Sequence, residues 1–326
     1  IGIYITLLNF FQKMDPYTAL TTPDLFDILT PYGLVPFDSF SVLSGGIENT
    51  NYQVTVKEEN YVISLFEQKT WEEVLALSQL LQYLENNRFE TSKIVSAKSG
   101  MLITLWRQKP IMIKRLISGG IKPYLTLPLI ELAGFQVGKL HRIPPPDYLP
   151  NDLNFGKEHF DLLNDYAPKD PFGTWLTNIV SELVPHLSDE LPRAFIHSDL
   201  FCDNVLISPD EQKVTLMDFE EAAHYYRIFD VGMAIIGLCS EEGRLNADKV
   251  QGFLRGYSKQ VTLNAIEQKG LGAFTAYAGA SMSFWRHKNF NFIHPELNLN
   301  DHYKALQSLT NDARNQPCDF FKLKLT

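Results

Sequence analysis

Three polar residues in the second half of the chain have the side-chain types that phosphoryl transfer requires. Asp199 and Asn204 lie five positions apart, and Asp218 directly follows the mainly apolar residues 214–217. A carboxylate can orient an acceptor hydroxyl and take its proton, while carboxylate and amide oxygens can hold Mg²⁺ against phosphates. We therefore predict Asp199 as the catalytic base and Asn204 and Asp218 as Mg²⁺ ligands, with ATP as the phosphate donor.

The sequence around these residues predicts short strands that would bring them together. Residues 194–196, 205–207 and 214–217 are mainly apolar and flank two polar loops. The order His-x-Asp, then Asn, then Asp at a strand end resembles the catalytic and metal loops of protein kinases. This ordered set favours a phosphate-transfer centre over the alternative, a β-hairpin whose acidic residues only cap turns.

Three neighbouring residues are expected to support the loop or to touch the substrate. His197 is predicted to be structural, because a histidine metal ligand would need companions that the chain lacks. Asp230, at the start of a predicted helix, either caps that helix or accepts backbone hydrogen bonds from the catalytic loop, and both roles are compatible. Asp203 either caps the loop or contacts the substrate.

A glycine-containing turn in the first half of the chain is expected to cover the ATP phosphates. Glycines allow backbone N–H groups to approach phosphate closely. The residues predicted to bind ATP are Ser44, Gly45, Gly46, Asn49, Ile113 and Leu116.

The cation that should pair with the phosphates is not evident in the sequence. Ser64 occupies the third-strand position where a lysine or arginine is expected. Lys69, Lys114 and Arg115 are the alternatives.

The periodicity of the apolar residues predicts a sheet followed by helices. Strands are expected at 40–43, 51–56, 61–66, 93–95, 101–106 and 109–115, with a short helix from 24 to 34 and one long helix over 70–86. Later helices are expected at 127–141, 175–187, 228–238, 247–259 and 271–285. This is an α+β pattern with two lobes, a sheet lobe at 14–116 and a larger, mainly helical lobe at 117–326. Residues 1–13 are either an extension upstream of Met14 or a helix or strand that is buried or covers a partner.

Composition excludes several classes of protein. The chain has 326 residues and a formal net charge of −9, which disfavours binding to nucleic acid or to anionic membranes. Its three cysteines, Cys202, Cys239 and Cys318, form no CxxC pair. That spacing argues against a disulfide framework or a zinc site and favours reduced thiols in a cytoplasmic protein. Monomer and homodimer both remain open.

Three segments resemble those of the aminoglycoside phosphotransferase/choline kinase superfamily, and more closely its type II homoserine kinases. They are residues 46–52, 61–67 and 197–204. The resemblance implies a protein-kinase-like fold and transfer of the ATP γ-phosphate to the hydroxyl of L-homoserine, a step of threonine biosynthesis. Members of this group tend to lack the third-strand lysine, which would make Ser64 typical. Asp218-Phe219-Glu220-Glu221 departs from the family's Asp-Phe-aromatic pattern.

An amino-acid acceptor needs a cation for its carboxylate and a carboxylate for its ammonium group. We expect Arg286 to supply the cation, although a solvated helix end is an equally good interpretation of that residue. Glu220 or Glu221 could meet the ammonium group. A kinase for an amino-alcohol or aminoglycoside is the main alternative, and an inactive nucleotide-binding module is a third.

Overall fold

The structure of the protein is a computed structural model that describes residues 18–43, 49–317 and 319–324. The chain divides into two compact units, and the division falls between Gly119 and Gly120. The sequence predicts it after residue 116. Among the described residues, no helix combines the length and the apolar character needed to cross a bilayer.

Within its described residues, the first unit contains a six-stranded antiparallel sheet. The strands are β1 (Ser39–Leu43), β2 (Asn49–Val56), β3 (Glu59–Phe66), β4 (Lys93–Ile94), β5 (Ile103–Trp106) and β6 (Lys109–Arg115). Their order is β1-β2-β3-β6-β4, with β5 paired to β6. The strands predicted at 40–43, 51–56 and 61–66 are confirmed as β1, β2 and β3, which pair as an antiparallel meander.

Two helices pack on this sheet. Helix α1 (Thr22–Leu29) starts with a capping box between Thr21 and Asp24, and its buried Leu25 and Ile28 share one apolar cluster with inward-facing residues of β2, β3 and β6. Helix α2 (Trp71–Asn86) starts at the predicted position, because Thr70 and Glu73 form a second capping box. It contacts β4, β5 and β6.

The described part of the second unit is mainly helical, as predicted. Its helices are α3 (Leu127–Leu140), α4 (Leu163–Tyr166), α5 (Pro171–Leu183), α6 (Arg227–Leu238), α7 (Ala247–Ser258), α8 (Ala265–Lys288) and α9 (His302–Arg314). Its short strands are β7 (Gly120–Ile121), β8 (Arg193–Ile196), β9 (Val205–Ile207), β10 (Val214–Leu216), β11 (Ala223–Tyr226), β12 (Ser240–Glu241) and β13 (Arg244–Leu245). Strand β9 lies between β10 and β7, whereas β8 pairs with β11.

Two predicted helix boundaries are wrong for local reasons. Helix α5 starts at Pro171 instead of 175, because the Asp170 side chain accepts a hydrogen bond from the Phe172 amide at 2.9 Å. Helix α8 starts at Ala265 instead of 271, because Asn264 and Glu267 form a capping box. Helix α9 and strand β11 were not predicted.

Glycines allow helices α3 and α7 to approach closely. A Cβ atom added to Gly256 would lie 1.8 Å from the Glu131 carbonyl oxygen, and one added to Gly134 would lie 2.1 Å from the Phe253 carbonyl oxygen. The two backbones therefore touch where a larger residue would separate them. This contact brings the C-terminal end of α3 next to Tyr257 of α7.

We predict that Gly256→Ala lowers the free energy of unfolding by about 3 kcal/mol, because the added methyl group meets a backbone carbonyl that cannot turn aside. Urea denaturation would measure the change. Gly252→Ala on the same helix is the matched control, since its nearest neighbours lie 3.7 Å or more from the new Cβ. That variant should gain about 0.5–1 kcal/mol from the higher helix propensity of alanine. Equal losses in both variants would contradict the close approach of α3 and α7.

Candidate active site

His197 fixes the start of the loop that follows β8. The residue is fully buried. Its Nε2 atom lies 2.8 Å from the Met217 carbonyl oxygen, and its Nδ1 atom accepts a hydrogen bond from the Asp199 amide at 3.3 Å. Burial lowers the pKa of His197, so the ring is neutral and donates through Nε2. The imidazole thus ties the loop to the end of β10.

The Asp230 carboxylate fixes the same loop through two hydrogen bonds from backbone amides. Its Oδ2 atom accepts from the His197 amide at 3.0 Å, and its Oδ1 atom accepts from the Ser198 amide at 2.7 Å. Helix α6 starts after Tyr226 without a side-chain cap, so the capping alternative for Asp230 is wrong.

His141 is a member of this network that the sequence analysis missed. It follows the last residue of α3, and its Nε2 atom lies 2.9 Å from Oδ2 of Asp230. Its Nδ1 atom lies 2.8 Å from the hydroxyl oxygen of Tyr257 on α7. The available signal was a histidine on the apolar side of an amphipathic helix, but its partners are more than 80 residues away in the chain.

Asn204 and Asp199 are in direct contact. The Asn204 Nδ2 group donates to the Asp199 carbonyl oxygen at 2.8 Å and to the Asp199 Oδ2 atom at 2.7 Å. The amide nitrogen of Asn204 therefore orients the Asp199 carboxylate. Its Oδ1 atom is the one that could coordinate a metal ion.

Asp218 is held close to Asn204 through the residue before it. The Met217 amide donates to the Asn204 carbonyl oxygen at 2.9 Å, so the chain segment that carries Asp218 is hydrogen-bonded to the catalytic loop. Asp218 and Ser198 both have left-handed backbones, with φ of 64° and 67°. Each such residue costs about 1 kcal/mol when it is not glycine. Each of the two loops that carry the polar residues therefore contains one strained position.

Carboxylates crowd the site. Burial raises the pKa of Asp199 well above its ordinary value, and the charges of Asp203, Asp218 and Glu221 raise it further. The hydrogen bond from Asn204 acts in the opposite direction. A divalent cation would offset this excess of negative charge.

The donor set fits a hard cation such as Mg²⁺. Across residues 18–43, 49–317 and 319–324, no group of three or more His, Cys, Asp or Glu is arranged to hold a metal. Mg²⁺ does not need such a group, because one or two protein oxygens and the substrate phosphates suffice. Asn204 and Asp218 can provide those oxygens. Cys202 and Cys239 are buried free thiols, and Cys318 lies outside the described residues.

Arg286 lies close to the catalytic loop. It is near the end of α8, is only 9% exposed, and has its guanidinium carbon 5.4 Å from the centre of the Phe201 ring. Desolvation by the surrounding protein raises the pKa of Asp203, and the charge of Arg286 lowers it. The interpretation of Arg286 as a solvated helix end is therefore wrong. Glu220 is half-buried, and its amide donates to Oδ1 of Asp218 at 3.4 Å.

The residues predicted to bind ATP lie in the first unit. Ser44, Gly45 and Gly46 are outside the described residues, as is segment 1–13. Asn49 is the first residue of β2 and pairs with Phe66. The Ile113 side chain is fully buried in the apolar cluster under α1, so only its backbone could meet a ligand. Leu116 is half-buried, and its amide donates to the Asn60 carbonyl oxygen at 2.9 Å.

The candidate phosphate cations of the first unit interact with their own neighbours. Ser64 is 1% exposed and donates to Oδ1 of Asn51 at 2.7 Å. Arg115 forms an ion pair with Glu59 at 3.1 Å, and the charge of Lys69 acts on Glu73.

Two further lysines bear on the same question. Lys114 lies on β6 opposite Val62 and Ile94. Lys109 forms an ion pair with the buried carboxylate of Glu67, a contact that the sequence did not predict.

Comparison with known proteins gives a consistent result. Residues 39–260 match the family described as phosphotransferase enzyme family. A homoserine kinase of Caulobacter sp. (strain K31) is 25% identical over 282 residues, which cover 83% of this chain and 87% of the relative.

Solved structures share the fold. A microcompartment-associated aminopropanol kinase has a TM-score of 0.67 and 16% identity, covering 90% of this chain and 95% of its own. An amicoumacin kinase in complex with AMP-PNP and Ca²⁺ has a TM-score of 0.68 and 14% identity, with the same coverage. The predicted α+β, kinase-like fold is confirmed.

The raised pKa of Asp199 predicts a change in stability with pH. The folded chain holds this proton more tightly than the unfolded chain, so stability falls as pH rises from the ordinary aspartate value of 3.8 towards the raised value. Asp199→Asn should therefore have a higher Tm than the wild type at pH 7.5, and the difference should shrink near pH 3.5. Thermal unfolding followed by circular dichroism would measure it.

Asp210→Asn is the control of opposite sign. Hydrogen bonds from Ser208 and the Gln212 amide lower the pKa of Asp210, so its stabilisation is present at neutral pH and is lost as the carboxylate is protonated. This variant should be less stable than the wild type at pH 7.5. A lower Tm for Asp199→Asn than for the wild type at pH 7.5 would refute the mutual repulsion of the carboxylates at the site.

Proposed function

This chain belongs to the phosphotransferase enzyme family, and we propose that it transfers the γ-phosphate of ATP to the side-chain hydroxyl of L-homoserine. The observation that carries this proposal is the hydrogen-bonded arrangement of Asp199 and Asn204, with the segment bearing Asp218 bonded to the same loop. These are the residue types that the reaction needs, on two loops joined by hydrogen bonds.

The transfer step requires little covalent chemistry from the protein. The acceptor hydroxyl oxygen forms a bond to the γ-phosphorus of ATP, the bond from that phosphorus to the bridging oxygen breaks, and ADP leaves. The hydroxyl proton passes to Asp199. Asn204 holds Oδ2 of this carboxylate, which leaves Oδ1 to accept the proton.

The electrostatic environment suits Asp199 to this role. A general base works best when its pKa lies closer to the working pH than that of an ordinary aspartate. Burial and the nearby carboxylates shift the pKa of Asp199 in that direction. The negative charges that contribute to this shift also explain why a cation is needed before a triphosphate can approach.

Asn204 and Asp218 would hold Mg²⁺, which when bound neutralises charge on the phosphates. Both residues offer oxygen atoms, which this ion prefers. Ser44, Gly45, Gly46, Asn49, Ile113 and Leu116 are proposed to bind ATP, Ile113 through its backbone alone.

The acceptor is assigned from two lines of support. Curated relatives such as the Caulobacter enzyme are homoserine kinases, and Arg286, Asp203 and Glu220 lie on or near the loops of the site with charges suited to an amino acid. His197 and Asp230 are proposed to position the loop without touching the substrate.

A kinase for an amino-alcohol is the second candidate. The cluster of carboxylates around Asp199 favours a cationic acceptor, and the aminopropanol kinase shares the fold. Tyr225 and Tyr226 of β11 are aromatic residues that could form a pocket for such a cation. Arg193 stacks on both rings instead, at 5.4 and 5.1 Å.

Release of ADP in the presence of Mg²⁺ tests the proposal. We expect turnover with L-homoserine, and a loss of at least about 100-fold in kcat for Asp199→Asn, because the general base is removed. Choline, methylthioribose and an aminoglycoside serve as competing acceptors. Turnover of choline alone would refute homoserine as the acceptor, and no turnover with any acceptor would indicate an inactive nucleotide-binding module.

A further inference from the structure

We propose that Asp203 and Arg286 recognise the two charged groups of the acceptor: Asp203 binds its ammonium group, and Arg286 binds its carboxylate. This inference rests on the proposed function and makes it more specific. It assigns the acceptor class as a zwitterionic α-amino acid. It also assigns the contact with the ammonium group to Asp203 instead of Glu220.

Arg286 is a buried cation without an ion-pair partner among the described residues. The residue is 9% exposed, yet its guanidinium group makes no ion pair or hydrogen bond with any residue in the described part of the chain. A buried charge without a partner is unfavourable unless something else compensates it. The aromatic face of Phe201 provides a weak partner at 5.4 Å. A carboxylate from a ligand would provide a strong one.

Asp203 is an acidic group on which the charge of Arg286 acts. The two residues interact electrostatically, but no ion pair within 4 Å joins them among the described residues. Asp203 is exposed, so a ligand can reach it. It lies four positions after Asp199 on the same loop, which places it near the carboxylate that receives the proton.

His302 on helix α9 is a neutral neighbour of Arg286. His302, near the start of this helix, is 8% exposed and has both ring nitrogens buried without a partner in the described structure. Burial, and secondly the charge of Arg286, lower the pKa of His302 to about 3. The imidazole is therefore neutral. It leaves the guanidinium charge of Arg286 uncompensated on that side.

A pair of opposite charges that are near each other but not bonded is suited to a zwitterion. L-Homoserine presents an ammonium group and a carboxylate on one carbon atom, with its hydroxyl two carbons away. If these charged groups meet Asp203 and Arg286, the hydroxyl is left free to approach Asp199. An acceptor with only one of the two charges would leave one protein charge unpaired.

Three acceptors that differ only in these groups test the inference. They are L-homoserine, 3-aminopropan-1-ol, which lacks the carboxylate, and 4-hydroxybutanoate, which lacks the ammonium group. We expect Arg286→Met to raise KM about tenfold or more for the two acceptors that carry a carboxylate, and to leave KM for 3-aminopropan-1-ol unchanged. Asp203→Asn should raise KM similarly for the two acceptors that carry an ammonium group, but not for 4-hydroxybutanoate.

Matched variants and controls separate binding from misfolding. Lys288→Met removes a charge two residues from Arg286 on the same helix and should leave all three KM values unchanged. KM for ATP should also stay constant in every variant. A folding defect would affect the three acceptors alike, and that pattern would overturn the inference.

The remaining outcomes distinguish the inference from the proposed function. If the wild type uses homoserine but Glu220→Gln, instead of Asp203→Asn, impairs the acceptors with an ammonium group, the role of Asp203 is refuted and the function stands. If the wild type uses 3-aminopropan-1-ol but not homoserine, both are refuted.

Discussion

The candidate site depends on one buried carboxylate, that of Asp230. It accepts hydrogen bonds from two successive backbone amides of the catalytic loop and contacts the His141 imidazole. One of those amides belongs to Ser198, whose left-handed backbone is intrinsically unfavourable. Without a fixed acceptor behind it, this turn would relax, and Asp199 would lose its orientation. Asp230 needs no contact with the substrate to control the reaction.

The packing of the second unit explains how this carboxylate can be fixed so far from solvent. Glycines let the backbones of α3 and α7 touch. The contact places His141 and Tyr257 within hydrogen-bonding distance of each other. Asp230 arrives on α6, a helix whose residues from Ile228 to Leu238 are all buried. Three helices thus converge on the loop between β8 and β9. A defect in the packing of these helices would therefore alter the position of Asp199.

Much of this could be predicted from the sequence because the relevant signals are local. Asp199 and Asn204 lie five positions apart, so their residue types and spacing already indicated that they act together. The helical spacing of the apolar residues likewise predicted α2. Helix α9 was missed because it has few apolar residues, although those it has, such as Leu306 and Leu309, recur at helical spacing and are buried.

Long-range contacts were beyond the reach of sequence patterns. His141 meets Asp230 across 89 positions of chain, and nothing near either residue indicates the other. The sequence left Arg286 as either a cation for the acceptor or a solvated helix end, and only the structure shows that it is buried beside the catalytic loop. Likewise, Ile113 was predicted to bind ATP, but its side chain lies in the apolar cluster, because the face that a strand buries is decided by the elements packed on it.

Substitution of Asp230 by asparagine, followed by single-turnover measurement of phosphoryl transfer, tests the dependence of the site on this carboxylate most directly. An asparagine side chain has one oxygen acceptor in place of two, so one loop amide would face a donor and lose its hydrogen bond. Leaving such a group unsatisfied costs about 1–3 kcal/mol, and we predict a transfer rate at least about tenfold lower, with ATP affinity unchanged. A transfer rate equal to that of the wild type would contradict the account.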